Sequence, residues 1–585
     1  MAFCLIIFAY LFATLEPGIW VTDEATYLLM VKSYAVDGHY HIENGFHELF
    51  SPEFMLPGTA LTSNGVEYRI YGLPAPLYVF IAAPFYSLWG VWGLNLINVL
   101  SFTLSAAALY FLVRTFGDER IALLSAVLFS FSYSVAYSQM LWPHSLSTLL
   151  VLSSSLIILT HYGKGIKGNT LVFIAGFMMA WAFGIRYPNG VFLAMQAGFV
   201  MLWMRESILP FLGGTIMPLG AIAYFNNRFF GSAMTFGYQS DYIGELALSF
   251  FGLSVIGAGA LIAWRRGMRP ALGRAHMIAA VFLVIGAVLF IPAVSHIFFK
   301  LISVSVYRNI GLDITYKKAL LQSIPYLILV PLGLLTLKDR AGYKMAAFIG
   351  GHCIAQICMM MVMSFGGWEE SLGMRYLLES VPFLIAAAAF GMARLLGDIG
   401  RRDLSFAAAV CAAATFLLAD IESIHVTGGW LYAVPSDISI GLLASGLGMG
   451  RDKRIMPVFV AFLALSISYS AAVGYTDLRT MGITKNLVWK TFQRIDAGIP
   501  DGSVVVYPHN GEYPYVAPLK LEKDVTLVTA YVDRGASLPD IVFHYTAQGE
   551  NIYFKENPDE AWINASRRFV DENNLTNVYF YSFRT

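Results

Sequence analysis

The chain begins with the apolar stretch MAFCLIIFAYLFAT at residues 1–14 and passes within a few residues into WVTDEATY at residues 20–27. The first stretch has no charged residue, which is typical of a helix that spans or anchors in a membrane. The second stretch brings two adjacent carboxylates, Asp23 and Glu24, to the place where the apolar run ends. Ionisable groups at such a position are costly when they are partly buried, so they mark a place where function has to be considered.

Composition extends this picture to the whole chain. Of 585 residues, 57% are hydrophobic, 15% are aromatic and only 13% are charged, whereas a soluble protein carries about 25% charged residues. The mean hydropathy is +0.62. A soluble enzyme, a disordered chain and a nucleic-acid binder are therefore excluded, and the 38 basic and 38 acidic residues leave no net charge to attract polyanions. We expect an α-helical polytopic membrane protein with the lipid bilayer as a partner.

The apolar runs predict about fifteen transmembrane helices, each close to the roughly 20 residues that a span needs. The segment 76–90 is apolar but contains Pro76, Pro84 and Gly90, so it is interpreted as a re-entrant or interfacial helix. The first run lacks a basic start and a cleavage site, and it is expected to be a retained anchor. The predicted spans lie at residues 2–15, 94–113, 121–138, 145–161, 170–185, 190–204, 208–225, 248–264, 277–297, 321–337, 345–363, 381–397, 404–420, 436–449 and 455–474.

Basic residues are concentrated in alternate connecting loops, of which residues 265–274 are the richest. Because cytoplasmic loops carry the excess of Lys and Arg, this alternation predicts a multi-pass protein of the plasma membrane with a cytoplasmic N-terminus. The long loop at 16–75 and the tail after residue 474 are then outside the cell.

The tail differs in composition from the rest of the chain. Residues 1–474 are predicted to form a transmembrane domain, and residues 475–585 a small extracytoplasmic α/β domain in which strands alternate with helices. The predicted strands lie at 503–507, 525–531, 541–545 and 578–583, and the predicted helices at 485–497 and 559–572.

Asp23 and Glu24 have two compatible interpretations. Thr22 or Asp23 is expected to cap a helix over residues 24–36, where acidic side chains are favourable at the N-terminus. A carboxylate in this position is also a candidate general base that accepts a proton from a hydroxyl nucleophile. Adjacent helical residues diverge by about 100°, so only one of the two can face a site. We predict Asp23 as the base and Glu24 as its orienting neighbour.

Other candidate residues lie near the outer ends of predicted spans. An Arg side chain binds phosphate oxygens as a planar fork, and at the headgroup level it can instead reach toward lipid; both interpretations stay open for the arginines here. His144 is either a substrate contact or an interfacial histidine with satisfied hydrogen bonds. The candidate substrate-binding residues are Arg186, Tyr187, Arg375, Tyr376, His144 and Tyr71.

The first outer loop also contains a group of potential metal ligands. His39, His41, Glu43, His47 and Glu48 could hold a divalent metal, although His39 and His41 have the spacing of a strand and no ligand pattern defines a site. No cofactor is certain from the sequence.

Four stretches together resemble the GT-C superfamily of polyprenyl-phosphate-sugar-dependent glycosyltransferases, which includes protein O-mannosyltransferases and lipid A aminoarabinose transferases. Asp23 and Glu24 look like the acidic motif of its first loop, and residues 71–90 look like its Pro-rich interfacial helix. Residues 229–238 are similar to the exit of its seventh span, and residues 365–382 contain a similar Gly-Gly-Trp and Arg-Tyr-Leu pattern. The resemblance covers about residues 1–400. An Asp-Glu pair and the acids Glu369, Glu370 and Glu379 are departures from it.

The resemblance implies an enzyme with its active site at the outer face of the membrane. A sugar would pass, with inversion, from a polyprenyl-phosphate donor to a glycan, lipid or protein acceptor. A first-loop carboxylate would act as the base and arginines would hold the donor phosphate. A transporter and a lipid-linked glycan flippase or polymerase are the alternatives, but no internal repeat is visible and few ionisable residues fall within the predicted spans.

Overall fold

The computed structural model describes most of the chain as a helical protein with two small sheets. The described residues are 2–44, 56, 59–63, 68–72, 75–162, 168–230, 232–233, 320–363, 375–397, 430–449, 453–507, 513–529 and 578–580. The predicted spans at 248–264, 277–297 and 404–420 lie outside them, as does the basic loop at 265–274.

Helices occur at the other predicted spans, at the predicted interfacial segment 76–90, and at residues 22–32 and 513–516. In chain order they are α1 (Ala2–Ala13), α2 (Thr22–Lys32), α3 (Leu77–Trp89), α4 (Val91–Arg114), α5 (Glu119–Ser130), α6 (His144–His161), α7 (Asn169–Ile185), α8 (Gly190–Trp203), α9 (Ile208–Phe230), α10 (Leu320–Ser323), α11 (Val330–Ala341), α12 (Tyr343–Met363), α13 (Val381–Leu396), α14 (Trp430–Met449), α15 (Met456–Gly498) and α16 (Tyr513–Val516).

Four of the described helices are long and apolar enough to cross a membrane: α4, α6, α9 with the turn that precedes it, and α15. A fifth candidate is α5 together with the short 3-10 helix Tyr133–Gln139, which are bent by 60° relative to each other. Shorter apolar helical segments of 10–17 residues are α1, α3, α7, α13 and the part Asp437–Gly448 of α14. The protein therefore has the apolar helices of a membrane protein, while the total of about fifteen spans stays a prediction.

Two predicted spans are broken in the structure. The span predicted at 121–138 bends after Ser130, where Ser132 accepts a hydrogen bond from the Ser134 N–H and starts a new turn. The span predicted at 321–337 is divided by Pro325 into α10, a 3-10 turn and α11. Serine and proline both favour an interruption of this kind, and hydropathy alone does not register it.

Glycines allow close contact between the helices that hold the later site residues in place. A Cβ atom added at Gly333 of α11 would lie 1.6 Å from the Ala387 carbonyl oxygen of α13, and one added at Gly391 would lie 2.6 Å from the Leu329 carbonyl oxygen. Small residues at such crossings let two backbones approach. The helix that follows Arg375 and Glu379 is thereby fixed against α11.

The segment 16–75, predicted to be the first outer loop, contains α2, a π-helical turn over Ser33–Asp37 and a pair of strands. Strands β1 (Thr59–Ser63) and β2 (Tyr68–Gly72) are antiparallel, and Ile42 pairs with Ile70 at their edge. The helix expected over 24–36 begins at Thr22 and changes to π geometry at Ser33. The expectation that Thr22 or Asp23 caps it was wrong: Val21 is the N-cap, and the side chain of Glu24 accepts the hydrogen bonds there.

Three strands of the tail form a parallel sheet in the order β4-β3-β5, with β3 at Val504–Tyr507, β4 at Thr526–Thr529 and β5 at Val578–Phe580. They coincide with predicted strands; the strand at 541–545 and the helix at 559–572 lie outside the described residues. The separate helix predicted at 485–497 was wrong in its start, because α15 runs unbroken from Met456 to Gly498. Residues 475–484 are more polar than the apolar half but contain no proline to end a helix. The division into two domains at residue 474 stays a prediction.

Candidate active site

Glu24 is fully buried and binds three backbone N–H groups. One carboxylate oxygen accepts from Trp20 and Val21 at the start of α2, and the other accepts from Leu141 at 2.6 Å. Its side chain therefore connects the start of α2 to the turn before α6. Burial raises the pKa of the Glu24 carboxyl, and the charge of Lys485 and the three N–H groups oppose that rise.

Lys485 supplies the positive charge of this buried group. It extends from α15 and donates to the Asn95 side-chain oxygen at 2.9 Å and to the Gln139 carbonyl oxygen at 2.6 Å. Both Lys485 and Glu24 are shielded from solvent. A buried charge of each sign with hydrogen bonds of its own is the arrangement that makes burial of charge tolerable.

Asp23 has different surroundings from its neighbour. Its carboxylate accepts a hydrogen bond from the Arg375 guanidinium at 3.2 Å, and half of the Asp23 side chain is exposed. The two residues are 352 positions apart in the sequence. The structure thus brings together the acid of the first loop and the arginine that precedes α13, the two residues that sequence analysis associated with base and phosphate chemistry.

Aromatic rings hold the Arg375 guanidinium. It lies 5.0 Å from the centre of the Trp142 ring and 4.8 Å from that of Tyr376, and it also donates to the Tyr376 hydroxyl at 2.9 Å. Cation–π contacts favour a guanidinium in this position and limit its rotation. Only 11% of the Arg375 side chain is exposed, so its fork is presented in a defined orientation.

A second arginine–carboxylate pair lies nearby but inside the protein. Arg186 donates to the Glu379 carboxylate, and both side chains are buried. The same carboxylate accepts from the Ser147 hydroxyl at 2.8 Å and from the Gln356 amide at 2.6 Å. Arg186 therefore binds a protein carboxylate, while its predicted substrate contact stays a prediction.

His144 starts α6 beside these arginines. Its buried ring lies 5.0 Å from Trp142 and 5.6 Å from Tyr137, and the charges of Arg186 and Arg375 both act on it. Within the described part of the chain, neither ring nitrogen has a hydrogen-bond partner. The ring also lines a cavity of about 10 Å³, which is close to the smallest volume that holds one water.

The two remaining candidate tyrosines contact α9. The Tyr187 hydroxyl donates to the Asn226 side-chain oxygen at 3.4 Å. The Tyr71 ring lies 4.5 Å from Phe229 and 6.2 Å from His41. The roles of both tyrosines stay predictions.

The sequence did not predict two residues that pair with the candidate site residues, Lys485 and Glu379. Lys485 gave no signal because it occurs among polar residues of a helix assigned to the tail. Glu379 was noted only as a departure from the family pattern, and its pairing with a residue 193 positions away depends on tertiary packing. For a metal, the candidate ligands among the described residues are His39, His41 and Glu43.

No protein-family model matches the chain, and no curated protein matches it. Solved structures match most of its length. ArnT from Cupriavidus metallidurans in the apo state is 13% identical, with a TM-score of 0.47, and the match covers 91% of this chain and 85% of ArnT. The oligosaccharyltransferase AglB from Archaeoglobus fulgidus, in complex with an inhibitory peptide and a dolichol-phosphate, is 12% identical, with a TM-score of 0.47 and coverage of 90% and 64%.

Arabinosyltransferase EmbB from Mycobacterium smegmatis is 11% identical, with a TM-score of 0.41, and the match covers 89% of this chain and 43% of EmbB. Two of these three proteins are named as transferases of sugars. The chain spans less than two thirds of the length of AglB and EmbB. Since every TM-score is below 0.5, the likeness is loose, and the chemistry depends on this chain's own side chains.

Proposed function

We propose that the protein is an integral-membrane glycosyltransferase that moves a sugar from a polyprenyl-phosphate donor to a hydroxyl acceptor at the outer face of the membrane. The observation that carries the proposal is the Asp23–Arg375 pair. It combines a half-exposed carboxylate, suited to proton transfer, with a guanidinium held between aromatic rings, suited to phosphate.

In this reaction Asp23 is the general base. Its carboxylate accepts the proton of the acceptor hydroxyl while that oxygen forms a bond to the anomeric carbon of the sugar. The bond between that carbon and the phosphate oxygen breaks, and its electron pair leaves with the polyprenyl phosphate. Attack from the face opposite the leaving group gives inversion. The leaving group is already activated, so positioning, one base and stabilisation of phosphate charge are sufficient.

Arg375 holds the donor phosphate in this proposal. Without donor its fork binds Asp23, and a phosphate oxygen competes for the same N–H groups. Donor binding then releases the carboxylate for the incoming hydroxyl. Both partners are pre-positioned, because Asp23 lies in the first turn of α2 and Arg375 is fixed by Trp142 and Tyr376.

Glu24 has a positioning role in the proposal. Its two oxygens bind three N–H groups and its side chain is closed to solvent. It therefore fixes the start of α2, and with it the place of Asp23, against the turn at Leu141. His144 contacts Trp142, one of the rings that hold Arg375, whereas Arg186 pairs with Glu379.

The test is sugar transfer by the purified protein in lipid vesicles, with a radiolabelled polyprenyl-phosphate sugar as donor and extracted glycans, lipids and peptides as separate acceptors. The proposal expects release of polyprenyl phosphate and formation of a product with inverted anomeric configuration. The Asp23→Asn variant should lose this activity. Asp37→Asn is the matched control, since Asp37 belongs to the same loop and pairs with Lys32 at 3.0 Å. Equal activity in wild type and Asp23→Asn would reject the assigned base.

A further inference from the structure

Two histidines and a glutamate converge in the predicted first outer loop, and the proposed sugar transfer uses none of them. The imidazole rings of His39 and His41 stack with centres 3.8 Å apart and planes 19° from parallel. One oxygen of Glu43 lies 3.1 Å from Nε2 of His39 and 3.6 Å from Nε2 of His41. The three potential ligand atoms all lie within 4.8 Å of one another.

These separations match those between two ligands of one metal ion. Zinc binds histidine nitrogen and carboxylate oxygen at about 2.0–2.1 Å in a tetrahedral arrangement. Two such ligands are then about 3.3 Å apart, which lies between the two measured nitrogen–oxygen distances. The chain bends at residues 38–41, which brings the three side chains together. A metal lies in the plane of a ligating imidazole, so the stacked rings have to turn about their side-chain torsions for both nitrogens to bind one ion.

The hydrogen bond on the other side of the His39 ring favours a metal as well. Nδ1 of His39 lies 3.0 Å from the backbone oxygen of His41. A carbonyl oxygen can only accept, so Nδ1 carries the proton and donates it. In the neutral ring Nε2 then has a lone pair, and this lone pair faces the Glu43 carboxylate. A proton or a metal ion must lie between two acceptors that are 3.1 Å apart, and a backbone bond to the far nitrogen is the usual way in which a metal-binding histidine is oriented.

We propose that His39, His41 and Glu43 bind one zinc ion with two nitrogens and one carboxylate oxygen. The Glu43 side chain is 55% exposed, so water can reach a fourth coordination position. Three protein ligands with an open fourth position are sufficient for zinc. Three other charged groups lie nearby. Lys32 and Asp37 pair with each other, and Lys520 of the tail interacts electrostatically with Glu43.

The position of the ligands indicates what the zinc ion does. Ile42, which lies between His41 and Glu43, pairs with Ile70 of β2. The side chain of Asn44, the residue after Glu43, makes two hydrogen bonds with the backbone of Leu527 in β4, at 2.7 Å and 2.9 Å. The ion would therefore fix the segment that joins the first outer loop to the sheet of the tail. This role does not depend on the proposed sugar transfer.

The test uses the purified full-length protein in detergent, stripped with a chelator, loaded with zinc and dialysed. We expect about one zinc per chain, and a rise in the thermal unfolding midpoint on zinc addition. Replacement by cobalt should give visible absorption bands. Zinc affinity should fall at least tenfold in the double variant His39→Gln/His41→Gln and in Glu43→Gln, a milder change that leaves both rings in place.

His161→Gln is the matched control, because His161 is the last residue of α6, is not one of the proposed ligands and hydrogen-bonds the Ile157 carbonyl oxygen. It should retain zinc. The proposal is overturned if well-folded Glu43→Gln and His39→Gln/His41→Gln bind zinc as wild type does. It is also overturned if wild type retains no zinc above the level of these variants, in which case the group is an ion pair of protonated histidine and glutamate.

Discussion

Two arginine–carboxylate pairs lie in the same part of the molecule and differ mainly in their access to solvent. In the Asp23–Arg375 pair the carboxylate is half exposed, whereas in the Glu379–Arg186 pair the carboxylate is fully buried. Glu379 has two further hydrogen-bond donors in Ser147 and Gln356. We refer to them as the open pair and the closed pair.

The difference in solvent exposure distinguishes a pair that can take part in catalysis from a pair that stabilises the fold. A carboxylate that must take a proton from a substrate needs an open face, which only the open pair has. The closed pair saturates its carboxylate with protein donors, and a buried pair of this kind is costly to disrupt one residue at a time. Arg375 and Arg186 look alike in the sequence, since each lies near the end of a predicted span, so their partners distinguish them.

The largest effect on sugar transfer is expected for the base of the open pair. Asp23→Asn keeps the shape of the side chain but removes the oxygen that accepts the proton, so turnover should fall at least about 100-fold. Initial rates with saturating donor and acceptor measure this, and thermal unfolding should be close to that of wild type. Asp37→Asn should keep its activity. Loss of activity in both variants would indicate that the loop as a whole, and not Asp23, was damaged.

The next effect concerns the arginine of the open pair. Arg375→Lys keeps the charge but loses the planar fork and its stacking between two rings. Loss of one charge-assisted hydrogen bond, about 1.5 kcal/mol, corresponds to a decrease of about tenfold in kcat/KM for the donor. The decrease should appear when the donor concentration is varied, and it should be absent when the acceptor concentration is varied at saturating donor.

Arg394→Lys provides the control for that experiment, because Arg394 pairs with Asp339 at 3.1 Å on an exposed surface. It should behave as wild type. An Arg375→Lys variant with unchanged donor kinetics would remove phosphate binding from the open pair.

Glu24→Gln should reduce sugar transfer less than Asp23→Asn does. This difference distinguishes the roles of the two adjacent acids. In Glu24→Gln one end of the side chain becomes an NH₂ group, which cannot accept the N–H bonds that the carboxylate accepts, and Lys485 loses its counter-charge. An unsatisfied buried N–H costs about 1–3 kcal/mol. The free energy of unfolding should therefore fall, while the rate per folded molecule changes by less than about tenfold. A stable but inactive variant would exchange the roles of Asp23 and Glu24.

Much of the fold could be predicted from apolar run length, because the bilayer demands that length. Helices occur at all twelve predicted spans that fall on described residues, and three predicted strands recur in the tail. The bend after Ser130 and the unbroken course of α15 were missed. They depend on local hydrogen bonding and on the absence of proline, and hydropathy measures neither.

Three charged residues of the candidate site could be anticipated in the same way. Asp23, Arg186 and Arg375 stand at the ends of apolar runs, where a charged residue is conspicuous. The contacts within the site could not be anticipated, because Glu24 with Leu141, Lys485 with Asn95, and Arg186 with Glu379 are each more than 100 positions apart. Such pairs form only when the helices pack.

The closed pair gives the smallest expected effect on transfer and the clearest contrast with the open pair. Arg186→Met alone leaves the Glu379 carboxylate buried without its counter-charge and should lower the free energy of unfolding by about 3–5 kcal/mol. The double variant Arg186→Met/Glu379→Gln removes both charges, and it should recover most of that loss. Thermal or denaturant unfolding of wild type, both single variants and the double variant measures the coupling. Sugar transfer per folded molecule in the double variant should remain within a few-fold of wild type, because Asp23 and Arg375 are untouched. A stable double variant that no longer uses the donor would instead place Arg186 in contact with the donor, and the distinction between an open and a closed pair would fail.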